Sequence, residues 1–176
     1  MGHVRRSLQP DRHGGHGPGG DRGCLRGEEV NRATPAARAD YPHLHTITTR
    51  WMDNDAYGHV NNVVYYSWFD TVVNEFLISH GVLDVEHSQV IGLVIETQCT
   101  YFASVAFPEN VTAGLRVASL GNSSVRYEVA IFRGDETSAA AQGHFVHVYV
   151  DRLSRQPTPI PAPLRTLLQS IQPEHP

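Results

Sequence analysis

Lysine is absent from this 176-residue chain, and all 14 basic residues are arginine. Alanine, glycine and proline are plentiful, which reads as a coding bias rather than a functional signal. Cysteine is nearly absent too, with only Cys24 and Cys99. Two cysteines, one of them in a stretch that reads as unfolded, cannot build a disulfide framework, so a reducing, cytoplasmic compartment is expected. Basic charge is not in excess. The formal net charge is −4, which excludes a general polyanion binder and makes nucleic acid an unexpected partner. No apolar run approaches a membrane span, so no membrane partner is expected either. There is no glycine-rich phosphate loop and no dinucleotide fingerprint. What remains is ordinary core material, 40% hydrophobic and 9% aromatic against 18% charged, enough for one domain.

The first forty residues differ from the rest. Met1–Asp40 holds eight of the 15 glycines, seven arginines and three histidines. It shows neither helical nor strand periodicity, so it reads as a disordered tail. It also lacks the apolar segment of a signal peptide. His3, His13 and His16 read as tail residues rather than metal ligands. The remaining chain, a single domain over residues 41–172, carries seven arginines against 13 acids through to its end.

Within that domain, His43–Trp51 alternates and predicts a strand, and Asp53–His59 reads as a loop. Val60–His80 predicts a long helix stopped by Gly81. Its polar residues Ser67, Asp70, Thr71, Asn74 and Glu75 form one narrow stripe, so the rest of its surface must be enclosed. Period-two alternation then predicts strands at Val90–Ala103, Val111–Leu120, Ser123–Arg133 and Ala139–Asp151. In the first of these, Ile91, Leu93, Ile95, Cys99 and Tyr101 are expected on one face. A proline run and a short helix at Leu164–Ile171 close the chain. The order predicts an α+β fold, an antiparallel sheet of about five strands wrapped around one long helix.

Chemistry concentrates where the loop meets the helix. Asp53, Asp55, His59, Asn61 and Asn62 fall within ten residues. A helix start presents unpaired N–H groups and the positive end of the dipole, which can hold an oxyanion. A carboxylate on the adjoining loop can attack a carbonyl or activate water beside it. Each residue alone has an ordinary role: Asp and Asn as caps, Gly58 in a turn, His59 in packing. Their combination with an enclosed helix favours a site.

The motif Asp53-x-Asp55-x-x-Gly58-His59-Val60-Asn61-Asn62, followed by an aromatic helix, resembles the hotdog-fold acyl-CoA thioesterases of the 4-hydroxybenzoyl-CoA thioesterase type. Glu96–Tyr101, Asn122–Val125, Ala141–Val148 and Pro159–Pro161 agree, so the resemblance spans roughly Leu44–Pro161. It implies a hotdog fold, a homodimer or homotetramer with sites at the dimer interface, an acyl-CoA substrate, and neither metal nor cofactor. It also implies Asp55 as nucleophile or general base, and a backbone N–H of Asn62, or of Val63, as oxyanion donor. His59 is expected to orient water or the carboxylate. Asn61, Val63 and Tyr66 are expected to contact substrate. Acyl-carrier-protein thioesterases share a similar stretch, but Tyr57 stands where they carry Asn, which favours the CoA-type reading. A hotdog hydratase or dehydratase and a catalytically silent acyl-binding module are the rival readings.

Other polar residues read as structural. Glu96 and Gln98 share a strand face and suit an interface or core hydrogen bond. Cys99, on the opposite face, suits a buried thiol. His144 and His147, three apart on a strand, point to opposite faces and cannot share a metal. His43 and His45 share a face but are expected to lack carboxylate or cysteine partners. Ser123, Ser124 and Arg126 suit solvated turn positions.

Overall fold

Helix α1 is apolar around most of its circumference, and the whole fold answers its need for cover. The computed structural model describes residues 33–173. Its elements run β1 (His43–Thr48), α1 (Asn62–Ser79), β2 (Val90–Tyr101), β3 (Asn110–Leu120), β4 (Ser124–Arg133), β5 (Ala141–Asp151) and α2 (Ala162–Gln169). The five strands form one antiparallel sheet in the order β1-β3-β4-β5-β2, so β1 and β2 are its edges. Tyr65, Trp68, Phe69, Val72, Val73, Phe76 and Leu77 of α1 are buried with Val111, Leu115, Tyr127, Val129 and Phe145 of the sheet. Each such side chain contributes about 1.5–3 kcal/mol by leaving water. This is the expected hotdog arrangement.

Glycine governs how closely the sheet approaches the helix. A Cβ at Gly143 would come within 2.8 Å of the Phe69 ring, so only glycine lets β5 pass under that aromatic. At the far end, Leu164 and Leu168 of α2 and the following Ile171 are buried in the same core. Val117 N–H donates to Ile171 O at 3.0 Å, fixing that end to β3.

Three expectations need correction. The helix begins at Asn62 rather than Val60, because Val60 is held extended in an antiparallel bridge with Asn54, its N–H on Val105 O at 2.8 Å, and Asn61 is the cap. Strand β2 does not alternate evenly: Val94 pairs with His147 while Glu96 pairs with Val146, leaving Ile95 as an inserted residue. Parity therefore changes at Ile95, and Ile91 and Leu93 lie on the face opposite Cys99 and Tyr101. The third concerns the tail boundary. The sequence pattern groups residues 33–40 with the tail, yet Ala36 N–H donates to Gln142 Oε1 at 2.6 Å and Arg38 N–H to Thr137 O at 2.8 Å. Tyr41, Ala130, Phe132 and Ala139 form a small cluster on which Ala36 packs. Alanines at irregular spacing carry no periodic signal, so this cover on the outer sheet face is not legible as a pattern. His3, His13, His16 and Cys24 lie outside the described residues.

Candidate active site

The loop between β1 and α1 is braced by a buried carboxylate. Asp53 is 1% exposed; its Oδ1 accepts from Arg50 Nε (3.0 Å) and Nη2 (2.8 Å), and its Oδ2 accepts from Arg50 N–H at 2.7 Å. Its carbonyl accepts the Asn61 N–H at 2.8 Å, tying the start of the loop to the start of the helix. Asn54 Oδ1 accepts the Phe107 N–H at 3.0 Å and holds the loop against the segment after β2. Between these anchors the chain turns. Asp55 Oδ1 accepts the Tyr57 N–H at 2.8 Å, Gly58 adopts φ +81°, and Asp55 N–H donates to His59 O at 2.8 Å. A positive φ there favours glycine, so Gly58 is a geometric requirement of the turn.

At the helix start, Asn61 is the cap, its Oδ1 accepting the Val63 N–H at 3.1 Å. That bond occupies the Val63 amide, which the sequence left open as an oxyanion donor. The Asn62 N–H has no acceptor among the described residues. It sits at the positive end of an 18-residue helix.

Asp55, His59 and Asn62 come together on one cavity of about 400 Å³, completed by Val60, Tyr65, Tyr101, Phe102, Ala103 and Ser104. Tyr101 O–H donates to Asn62 O at 3.2 Å, and its ring meets Tyr65 edge-on at 5.0 Å. Burial pushes the Tyr65 hydroxyl up to about 12, so it stays neutral. Tyr101 and Phe102–Ser104 carry no sequence signal as site residues. Tyr101 shows only as one member of an alternating strand, and nothing in the linear pattern brings it to residue 62.

Other expected residues lie elsewhere. Tyr66 is half-buried against Phe69, ring centroids 6.1 Å apart, and does not line the cavity. The Val63 side chain is exposed. His59 and Asp55 share the cavity without a side-chain hydrogen bond between them. Glu96 faces away from α1, where it meets His144 Nε2 at 2.8 Å and Arg126 at 3.7 Å. Gln98 shares that face and donates to Thr100 Oγ1. Cys99 packs on the core, and burial pushes its thiol up to about 11, which removes thiolate character. His43 and His45 do have a carboxylate partner, Glu75 of α1, at 3.4 Å from each. Among the described residues, no group of three or more His, Cys, Asp or Glu is placed to hold a metal. No helix among them is long and apolar enough to cross a membrane.

The chain belongs to the thioesterase-like superfamily, whose profile matches residues 49–168. It is similar in structure to the PA5185 protein of Pseudomonas aeruginosa strain PAO1, at 53% identity and TM-score 0.78 over 80% of this chain and 98% of that one. The PA2801 protein of Pseudomonas aeruginosa follows at 29% identity and TM-score 0.67, over 70% and 95% of the two chains. BH1999, a gentisyl-coenzyme A thioesterase, shares the fold at 23% identity and TM-score 0.64, over 72% of this chain and 99% of that one. The protein YsmA of Bacillus subtilis (strain 168) is 23% identical over 88 residues, half of this chain and 59% of YsmA, so the match spans less than two thirds of that relative.

Proposed function

We propose that the protein hydrolyses acyl-CoA thioesters to a carboxylic acid and free coenzyme A, with Asp55 as the catalytic carboxylate. The observation that carries this reading is the shared cavity lined by Asp55 and by Asn62, whose backbone N–H is unpaired among the described residues. The thioester carbonyl oxygen points at the Asn62 amide, which takes up the negative charge of the tetrahedral intermediate. Asp55 either attacks the carbonyl carbon or removes a proton from the water that does. In both routes the C–S bond breaks, the thiolate leaves and takes a proton, and water supplies the acid's second oxygen. Membership of the thioesterase-like superfamily supports thioester hydrolysis as the chemistry. The gentisyl-CoA activity named for BH1999 supports CoA as the thiol carrier.

The working unit of this reading is a homodimer. Strand β2 is a sheet edge, and Leu93, Val94 and Ile95 are exposed along it, Ile95 to 64%. An edge of twelve residues, apolar over Val90–Ile95, is a template for pairing with a second copy. Tyr101, at the end of the same strand, touches the helix start, so assembly along β2 and the site are built from one element.

The test is steady-state kinetics with thiol detection across short, long, aliphatic and aryl acyl-CoA substrates. Asp55→Asn keeps the shape and removes the charge, so kcat falls about a hundredfold or more while KM changes little. A fully active Asp55→Asn enzyme overturns the mechanism.

A further inference from the structure

The Asn62 amide that receives the oxyanion in this reaction is anchored from two sides. On its own loop, Asn61 N–H donates to Asp53 O at 2.8 Å and Asn61 Oδ1 accepts the Val63 N–H at 3.1 Å. Both bonds belong to the neighbours of Asn62 and neither to Asn62 itself. On the other side stands Tyr101, whose hydroxyl donates to the Asn62 carbonyl at 3.2 Å. Among the described residues this is the one side-chain hydrogen bond made to Asn62. Its donor lies 39 positions along the chain, at the end of β2. The reaction as written above gives Tyr101 no part.

Asn62 is the first residue of α1, and helix ends fray because their outermost amides have no acceptor within the helix. A carbonyl oxygen has two lone pairs, so the Tyr101 bond adds to the helical one instead of replacing it. The carbonyl and the N–H of Asn62 flank one Cα. Holding the carbonyl therefore limits how far the N–H can swing away from the cavity. Tyr101 is itself firmly mounted. It pairs with Ala141 of β5, and the next amide, Phe102 N–H, donates to Ala140 O at 2.8 Å. Its ring meets Tyr65 edge-on at 5.0 Å. Burial pushes its hydroxyl pKa up, with the Cys99 thiol and the Tyr66 hydroxyl adding to the rise, so it remains a protonated donor.

We propose that Tyr101 is the positioning residue of the oxyanion site, its hydroxyl fixing the Asn62 carbonyl against the sheet and thereby aiming the Asn62 N–H into the cavity. This deepens the thioesterase reading and rests on it for the role of the Asn62 amide.

The experiment compares the full chain with Tyr101→Phe, which keeps the ring against Tyr65 and removes only the hydroxyl. One readout needs no substrate. By NMR relaxation, the Asn62 N–H order parameter is expected near the rigid value of about 0.85 in the wild type and to fall toward about 0.6 in the variant. The middle of α1 stays rigid in both, and thermal melts confirm that the variant folds. The second readout is kinetics on the acyl-CoA panel, where kcat is expected to fall about tenfold while KM stays within about twofold. Difluorotyrosine at position 101 separates donation from packing. Its hydroxyl ionises within the working pH range and a phenolate cannot donate, so kcat of that protein alone declines as pH rises through the ionisation. A Tyr101→Phe enzyme with full kcat overturns the proposal and leaves the hydrolase reading intact. An Asn62 amide as rigid in the variant as in the wild type overturns it too. A wild type that turns over no thioester, with Asn62 loosened in the variant, defeats the hydrolase reading while Tyr101 keeps its hold on the helix start.

Discussion

Asp53 and Asp55 stand two positions apart and are put to different uses. Asp53 is buried and spends both oxygens on Arg50, whereas Asp55 is half-buried with one oxygen on the Tyr57 amide. Asp53→Ala leaves the Arg50 backbone N–H without its acceptor, while the Arg50 guanidinium, 64% exposed, returns to water. A loss of about 1–3 kcal/mol in urea-melt stability is expected, the scale for stranding a buried donor. Asp55→Asn is expected to leave that stability within about 0.5 kcal/mol. The motif was legible because it packs polar residues against an apolar helix, but the division of labour inside it was not. Which carboxylate is enclosed depends on Arg50 and on the 105–107 segment, and no spacing rule reports either.

Two elements carry histidines whose burial sets a pH dependence. His43 of β1 has its pKa lowered by burial, with Glu75 opposing, and His147 of β5 is lowered to about 4 by burial alone. Both rings therefore bind protons more readily in the unfolded chain, and protonation favours unfolding as pH falls. Stability is expected to hold above about pH 7 and to drop between the unfolded value of 6.5 and about 4. For His147 the drop is about 3 kcal/mol, from 1.36 kcal/mol per unit. His147→Leu should flatten that part of the profile, as measured by chemical denaturation at stepped pH. A slope unchanged in the variant would assign the acid sensitivity to other groups. Helix α1 was readable to within two residues at its start because its apolar circumference and Gly81 stop are strong local signals. The Glu75 contact with β1 was not, since it joins residues some thirty apart.

For the molecule as a whole, the sheet has two edges and only one carries a long apolar run. Light scattering is expected to report a dimer or larger assembly. Ile95→Lys, which places a charge on the β2 edge, is expected to shift it to monomer and to cost turnover. A monomeric wild-type protein with full activity would remove the shared-interface reading. Truncation sharpens the boundary found at the start of the described chain. Removing residues 1–32 leaves the Ala36 and Arg38 hydrogen bonds in place, while removing residues 1–39 deletes them and uncovers Phe132 and Ala130. The longer deletion is expected to melt several degrees lower than the shorter. The wrapped sheet was legible from five alternating runs and one enclosed helix, but its order was not: tight turns account for β3-β4-β5, whereas β2 pairs with β5 and β1 with β3 across long stretches of chain.

The inserted residue at Ile95 gives β2 one residue in reserve. Val94 pairs with His147 and Glu96 with Val146, so removing Ile95 alone closes the ladder with every other pair intact. Gly92 stays beside the His147 ring, and Cys99 and Tyr101 keep their face, with the Tyr101 hydroxyl still on the Asn62 carbonyl. A deletion elsewhere in the strand turns over only the residues between it and position 95. Loss of Thr97 turns Glu96 toward the helix and leaves both ends of the strand as they were. The strand resembles a belt with one spare notch, able to shorten once without exchanging its inside for its outside.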